Sequence, residues 1–338
     1  MFENYFGNRA VQEALGQMIA SGRIPQTILL AGPEGVGKAT LARRFAARLL
    51  GSPEKIEKDD LSLPHNLDII AEREKWPADK RNDDPLLFAT HPDFVTFAPD
   101  GPLRQISIPQ MRLLKERAQF KPLHGSYRVF LIDQLDRANE QAANSLLKTL
   151  EEPPEHLILF LTAANPYDLL PTIRSRAVSL HVAPLGDEEM REFAAARGLD
   201  DAARRVALAR GSPGFAVSLD LEVYDRRRDA MLTLLEAASG AAPFAAWVRY
   251  AESAQNRQEK LEPLLASLYG LLADVLALQY GGAVRNLDIE PRLAAVAGKV
   301  SFDWLRKAIA KTDELAQLVR RNIQKNIAFD AMIIELRG

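Results

Sequence analysis

The chain has 338 residues, 47% of them hydrophobic and 26% charged, which is the balance of a globular protein of two or three domains. Its formal net charge of −2 argues against a dedicated, highly basic DNA-binding domain, and the absence of cysteine excludes disulfides and thiolate metal sites. The five histidines (His65, His91, His124, His156 and His181) are scattered without a pair at ligand spacing, so surface or structural roles are expected of them.

From the N-terminus, Met1-Phe2-Glu3-Asn4-Tyr5 shows neither the basic nor the apolar region of a signal peptide. Residues 1–183 then alternate short β-branched apolar runs with amphipathic stretches, the pattern of an α/β domain around a parallel sheet. Strands are predicted at Thr27–Ala31, Phe94–Phe97, Arg128–Ile132, Leu157–Thr162 and Val178–Val182. Helices are predicted at Ala39–Leu50, Gln110–Phe120 and Arg137–Glu151, the last stopped by Pro153-Pro154. Between Gly51 and Pro92 the chain turns polar and charge-rich, and Pro64, Pro77 and Pro85 are expected to interrupt any helix in this surface insertion.

From Pro184 the strand signals vanish. Two short helices are predicted at Asp187–Arg197 and Asp200–Arg210, and Gly211-Ser212-Pro213-Gly214 reads as a turn opening a third, which together make a small helical subdomain over 184–222. Residues 223–338 read as an all-helical domain with helices at Leu261–Tyr280, Pro291–Gly298, Phe302–Asn322 and Ile327–Leu336. The apolar run Leu264–Leu278 is broken by Ser267, Tyr269, Gly270 and Asp274, so no membrane span is expected and the protein is read as cytoplasmic.

Gly32-Pro33-Glu34-Gly35-Val36-Gly37-Lys38-Ala39 matches the phosphate loop G-x-x-x-x-G-K at every fixed position but the last, where Ser or Thr is the rule. Its glycines let successive backbone N–H groups converge on a phosphate, and the helix that follows aims its positive end at the same point. The apolar strand before the loop and the amphipathic helix after it are the context that this mechanism requires. Lys38 would bridge the terminal phosphates of ATP or ADP. Ala39 cannot ligate magnesium, and Thr40 projects about 100° further round the helix, so weak or absent Mg²⁺ is expected. Asp133 ends the apolar run Val129–Ile132, where P-loop ATPases place a magnesium-coordinating Asp; a strand-ending Asp that caps a turn has the same appearance. The next residue is Gln134, and an amide cannot take a proton from water, so cis hydrolysis is expected to be very slow or absent.

Further segments resemble one family. They are His91-Pro92-Asp93, Gly125–Asp133, the run Ala143-Asn144-Ser145-Leu146-Leu147-Lys148-Thr149-Leu150-Glu151-Glu152-Pro153-Pro154, and Leu170-Pro171-Thr172-Ile173-Arg174-Ser175-Arg176. In that order and spacing the chain is similar to the clamp loader subunits of bacterial DNA polymerase III, within the AAA+ superfamily. The resemblance is strongest over 20–183 and implies a P-loop AAA+ domain, a helical lid and a C-terminal collar that closes a ring. Within the family, Ala39, Gln134, Ala164 at the usual sensor position beside Asn165, and Gly211–Gly214 in place of a lid arginine point to the delta-prime type, in which cis ATP chemistry is degraded. An active gamma/tau-like ATPase, with Thr40 and Gln134 substituting, is the alternative; a P-loop small-molecule phosphotransferase is another, from a different class. Many relatives carry a four-cysteine zinc module where the 51–92 insertion lies, so no zinc is expected here. The resemblance also makes Arg176 an arginine finger for a neighbouring subunit's triphosphate, since Ser175-Arg176-Ala177 falls where the family has Ser-Arg-Cys. Implied partners are the delta and gamma/tau-type subunits and, through the complex, the sliding clamp and primer-template DNA, with Lys148 among possible phosphate contacts.

Overall fold

Each predicted strand is present in the computed structural model, which describes residues 2–252, 259–318 and 324–337. The strands are β1 (Thr27–Ala31), β2 (Phe94–Phe97), β3 (Arg128–Ile132), β4 (Leu157–Ala163) and β5 (Val178–His181). They form a parallel sheet in the order β2-β3-β4-β1-β5. β1 to β4 are buried throughout, as a parallel sheet covered on both faces requires, whereas the edge strand β5 is largely exposed.

Side chains alternate across this sheet with period two. Ile28 and Leu30 of β1 face one layer and Leu29 and Ala31 the other. The first layer contains α1 (Arg9–Ser21) and α2 (Lys38–Leu50), which bury Leu15, Leu41 and Phe45 against Phe94, Leu131 and Phe160. Before the opposite layer the insertion supplies α3 (Pro53–Ile56), α4 (Pro64–Arg73) and α5 (Ala78–Asp83). Here the expectation of broken helices is corrected. Pro53 and Pro64 stand in the first turn of their helices and Pro77 at the cap of α5, positions where a missing N–H costs nothing. Ile70, Leu86, Phe88 and Ala98 give this region a small core of its own.

The opposite layer is α6 (Ile108–Ala118) and α7 (Glu140–Glu151), which bury Met111, Leu114, Leu146 and Leu150 against Val95, Phe97, Phe130 and Leu159. A capping box between Ser107 and Gln110 starts α6 two residues before the predicted bound. The predicted helix Arg137–Glu151 is two pieces: a 3₁₀ turn, Leu135–Arg137, then α7, whose cap Asn139 accepts from the Ala142 N–H at 2.8 Å. α8 (Pro171–Arg174) leads into β5.

The chain divides into Met1–Val217 and Ser218–Gly338. The first unit ends with α9 (Asp187–Arg197), α10 (Ala202–Ala209) and α11 (Pro213–Ser218), joined around Leu185, Met190, Phe193, Ala209 and Ala216. α10 is shorter than predicted because Asp201 and Arg210 both adopt left-handed backbone. The second unit is helical, with Leu221–Ser239, Phe244–Ala251, Leu261–Tyr280, Glu290–Ala297, Phe302–Leu318 and Lys325–Arg337. The predicted helix Phe302–Asn322 is seen to Leu318; residues 319–322 lie outside the described residues. Leu261–Tyr280 is long and apolar enough to cross a membrane, yet Leu264, Leu268, Leu271 and Val275 are buried in the core of this unit with Leu234, Leu293 and Ile333. Asp274, which breaks its apolar run, is buried and accepts from the N–H groups of Arg285 and Asn286 at 3.1 Å each.

Asp93 is fully buried between β2 and the approach to β3, where it accepts from the Leu123 and His124 N–H groups at 2.8 Å and faces Arg128 at 3.7 Å. Asp93→Ala leaves two donors and a buried guanidinium uncompensated and is expected to cost about 3–5 kcal/mol of stability. Asp84→Ala, at the exposed end of the Arg73 pair, is expected to cost about 1 kcal/mol or less. Urea unfolding of the two variants checks the contrast.

Candidate nucleotide site and surface arginine

Three strands deliver the site. Because β4 lies between β1 and β3, the carboxyl ends of all three emerge side by side, which is where ligands bind in open α/β sheets. The loop Gly32–Gly37 leaves β1, Asp133 leaves β3, and Thr162 sits at the end of β4.

Only glycine suits two of the loop positions. At Gly32 (φ 153°) a Cβ would overlap the Val182 carbonyl, and at Gly35 (φ 76°) it would overlap the Ser212 hydroxyl. Val36 is buried with Phe45 and Phe160 and anchors the loop to the core. Gly37 caps α2, so the helix opens with Lys38. Lys38 is 8% exposed, and its Nζ donates to the carbonyls of Gly32 at 2.6 Å and Pro33 at 2.7 Å. Burial lowers its pKa, against the opposing influence of the Asp133, Asp136 and Glu34 carboxylates. Ala39 packs into the apolar cluster, and the Thr40 hydroxyl accepts from Arg43 at 3.4 Å.

Asp133 is tied to the strand that separates it from the loop. Its Oδ1 accepts from the Thr162 hydroxyl at 2.6 Å, and that hydroxyl in turn accepts from the Gln134 N–H at 2.8 Å. Enclosure raises the Asp133 pKa, although part of the residue's surface stays open, while Thr162, Arg43 and Lys38 act in the other direction. Thr162 is thus the polar strand-end residue that meets the acid. Ala164 and Asn165, expected at that position, lie beyond it, and Asn165 caps a 3₁₀ turn. Gln134 adopts left-handed backbone (φ 54°), and its amide donates to Glu34 at 3.4 Å.

Two further segments close on the loop: the turn expected at Gly211–Gly214, and the N-terminal residues, which carry no sequence signal for it. The N–H of Gly214 donates to Gly35 O at 2.8 Å and the Ser212 hydroxyl to Glu34 O at 3.2 Å, so the turn that opens α11 is fastened to the phosphate loop. On the other side the Tyr5 ring lies against Gly37, 3.1 Å from where a Cβ would stand, and burial raises the pKa of its hydroxyl.

Arg176 sits apart from all this, between α8 and β5. Its guanidinium donates to Glu151 at 2.9 Å and to the Thr172 carbonyl at 3.0 Å, with about a third of the side chain exposed. The structure therefore brings together residues 32–40, Asp133 and Gln134, and places Arg176 at a separate surface.

The glycine cradle, the α2 N-terminus and Lys38 fit a phosphate group. The donor set for magnesium is poorer: Asp133 is the carboxylate, Ala39 offers no oxygen and the Thr40 hydroxyl is turned to Arg43. Among the described residues no group of three or more His, Asp or Glu side chains is arranged to hold a metal ion.

Residues 83–186 match the family model described as DNA polymerase III, delta subunit. The chain is 32% identical over 218 residues to the delta′ subunit of Escherichia coli DNA polymerase III, which takes in 63% of each protein. It is 30% identical over 191 residues to the E. coli tau subunit, covering 56% of this chain and 26% of tau. Over 96% of the chain and 98% of the other protein, the fold matches a gamma subunit-related protein of Thermotoga maritima with TM-score 0.51 and 17% identity. The chain is thus similar in sequence to DNA polymerase III subunits whose own length it spans only in part, and it shares its fold with the gamma subunit-related protein.

The raised Asp133 pKa has a testable sign. A carboxyl that holds its proton more tightly when folded stabilises the fold most at low pH, and that contribution falls as pH rises from about 4 through the raised value. Asp133→Asn is therefore expected to be at least as stable as the wild type at pH 7, with the difference closing toward pH 4. Thermal unfolding across this range reads the outcome.

Proposed function

We propose that this DNA polymerase III clamp-loader homologue is a non-motor, delta-prime-type subunit that helps load the sliding clamp onto primed DNA. In this reading its own loop binds ATP or ADP weakly without hydrolysing it, while Arg176 serves the triphosphate held by a neighbouring gamma/tau-type subunit. Its direct partners are other clamp loader subunits of the delta and gamma/tau types; the clamp and primer-template DNA are met through the complex. Its place of action is the cytoplasm.

The observation that carries this reading is the contrast between the two sites. In the loop site the side chain after Asp133 is an amide, the hydroxyl nearest the lysine is bonded to Arg43, and the lid turn is fastened to Gly35. At the surface site a guanidinium stands partly exposed at the end of α8. A planar cation offered to a phosphoryl group opposes the negative charge that develops during transfer, and an arginine supplied in trans is worth about 10³–10⁵ in rate. Lys38, the N–H groups of Gly35–Lys38 and the α2 N-terminus would hold the chain's own nucleotide; a magnesium ion, when bound beside Asp133, would offset phosphate charge.

An active gamma/tau-like ATPase is the second reading, since the loop keeps Lys38 and Asp133. It requires Thr40 and Gln134 to do the work of the missing groups. The bond from Arg43 to Thr40 and the turn of Gln134 toward Glu34 both count against that.

Two measurements separate the readings. In a complex reconstituted with gamma/tau-type subunits, Arg176→Ala is expected to abolish most ATP turnover at the adjoining site; an unchanged rate removes the finger role. The isolated chain is expected to show weak nucleotide binding that magnesium alters by less than about tenfold, corresponding to 1.4 kcal/mol, and no turnover above background. Brisk magnesium-dependent hydrolysis by the isolated chain, lost in Lys38→Ala, would establish it as a motor.

A further inference from the structure

A surface arginine is a poor instrument unless something fixes it. Its long side chain has many rotamers, and each must be abandoned when the guanidinium is brought to one phosphate. Arg176 is not left to find its own conformation. Its Nη2 donates to Glu151 Oε1 at 2.9 Å, and its Nη1 donates to the Thr172 carbonyl at 3.0 Å and lies 3.5 Å from the Ser175 hydroxyl. This leaves Nε–H and one Nη2 hydrogen to meet an oxyanion.

The carboxylate that makes this contact is carried on a rigid support. Glu151 is the last residue of α7, whose Leu146 and Leu150 are buried with Leu157, Leu169 and Ile173 in one cluster. The turn after it is pinned by Gln26, whose amide donates to the carbonyls of Pro153 at 3.3 Å and Pro154 at 3.2 Å. Glu151 and Arg176 line the same cleft of about 340 Å³ with Gln26 and Ser175. A carboxylate at the negative end of a helix is electrostatically out of place, and a cation beside it relieves the conflict. The guanidinium thus stands where the α7 C-terminus, Glu151 and the Thr172 carbonyl all favour positive charge.

We infer that Glu151 is a positioning residue for Arg176: it holds the guanidinium in the orientation from which it engages a phosphate on the neighbouring subunit. The inference rests on the trans-acting role given to Arg176 above. The pair is half-exposed, 34% for Arg176 and 49% for Glu151, so it orients the side chain without locking it against a more highly charged acceptor. What matters is acceptor geometry, which glutamine can reproduce and alanine cannot.

The test is steady-state ATP turnover by the reconstituted complex carrying Glu151→Ala, Glu151→Gln or Arg176→Ala in this subunit. Glu151→Ala is expected to lower kcat at the adjoining site by about ten- to a hundredfold, with KM and the thermal unfolding midpoint of the subunit unchanged. Glu151→Gln is expected to restore most of that loss. Turnover in Glu151→Ala equal to or above the wild type, with Arg176→Ala impaired, overturns the inference and makes Glu151 a restraint on the arginine. Loss in Glu151→Gln as large as in Glu151→Ala also overturns it, since charge and not geometry would then matter. If Arg176→Ala itself turns over normally, the trans role fails first, and that failure is visible before the Glu151 variants are considered.

Discussion

The parallel pairing of β4 between β1 and β3 is the constraint on which the first unit depends. Leu159 of β4 pairs with Thr27 on one side and Phe130 on the other, and every residue of the three strands is buried. Slippage by one residue would turn alternating side chains to the wrong layer. The same register fixes chemistry at the strand ends: the phosphate loop, Thr162 and Asp133 leave the sheet together because their strands are neighbours. No single loop assembles this site.

Much of this was legible in the chain. The five apolar runs match five strands with nearly the predicted bounds; four of them are fully buried parallel strands, which need continuous apolar residues and leave an unmistakable trace. The loop was legible from its glycines and lysine, and the acid from the run that precedes it. The insertion is less legible, for a physical reason. Proline breaks a helix interior but favours its first turn, and only the following residues tell the two apart. Helix Leu221–Ser239 leaves little trace in the sequence either; Ala230, Leu234 and Ala238 need partners elsewhere in the chain to show which face is inside.

Tertiary contacts account for what sequence spacing could not reveal. Thr162 looked like one more residue of an apolar strand, and its role emerged only when β4 placed its hydroxyl on Asp133. Ser212 and Gly214 lie 178 and 179 positions beyond their partners Glu34 and Gly35, and Tyr5 lies 32 positions before Gly37. A linear pattern cannot announce such contacts. In physical terms the lid turn and the N-terminal segment act on the loop as fixed walls, while Arg176 stands on a surface those walls do not reach.

The insertion carries one more lesson, in Arg73. This buried guanidinium grips Asp100 with two donors, at 3.1 and 2.8 Å, reaches Asp84 at 3.2 Å, and lies over the Trp76 ring. It is a three-way rivet that ties α4 to the residues around Asp84 and Asp100. A rivet of this kind is built from side chains alone, and its guanidinium keeps its charge at any pH a cell tolerates. What this contact adds to the region accordingly calls for neither a bound metal nor a disulfide.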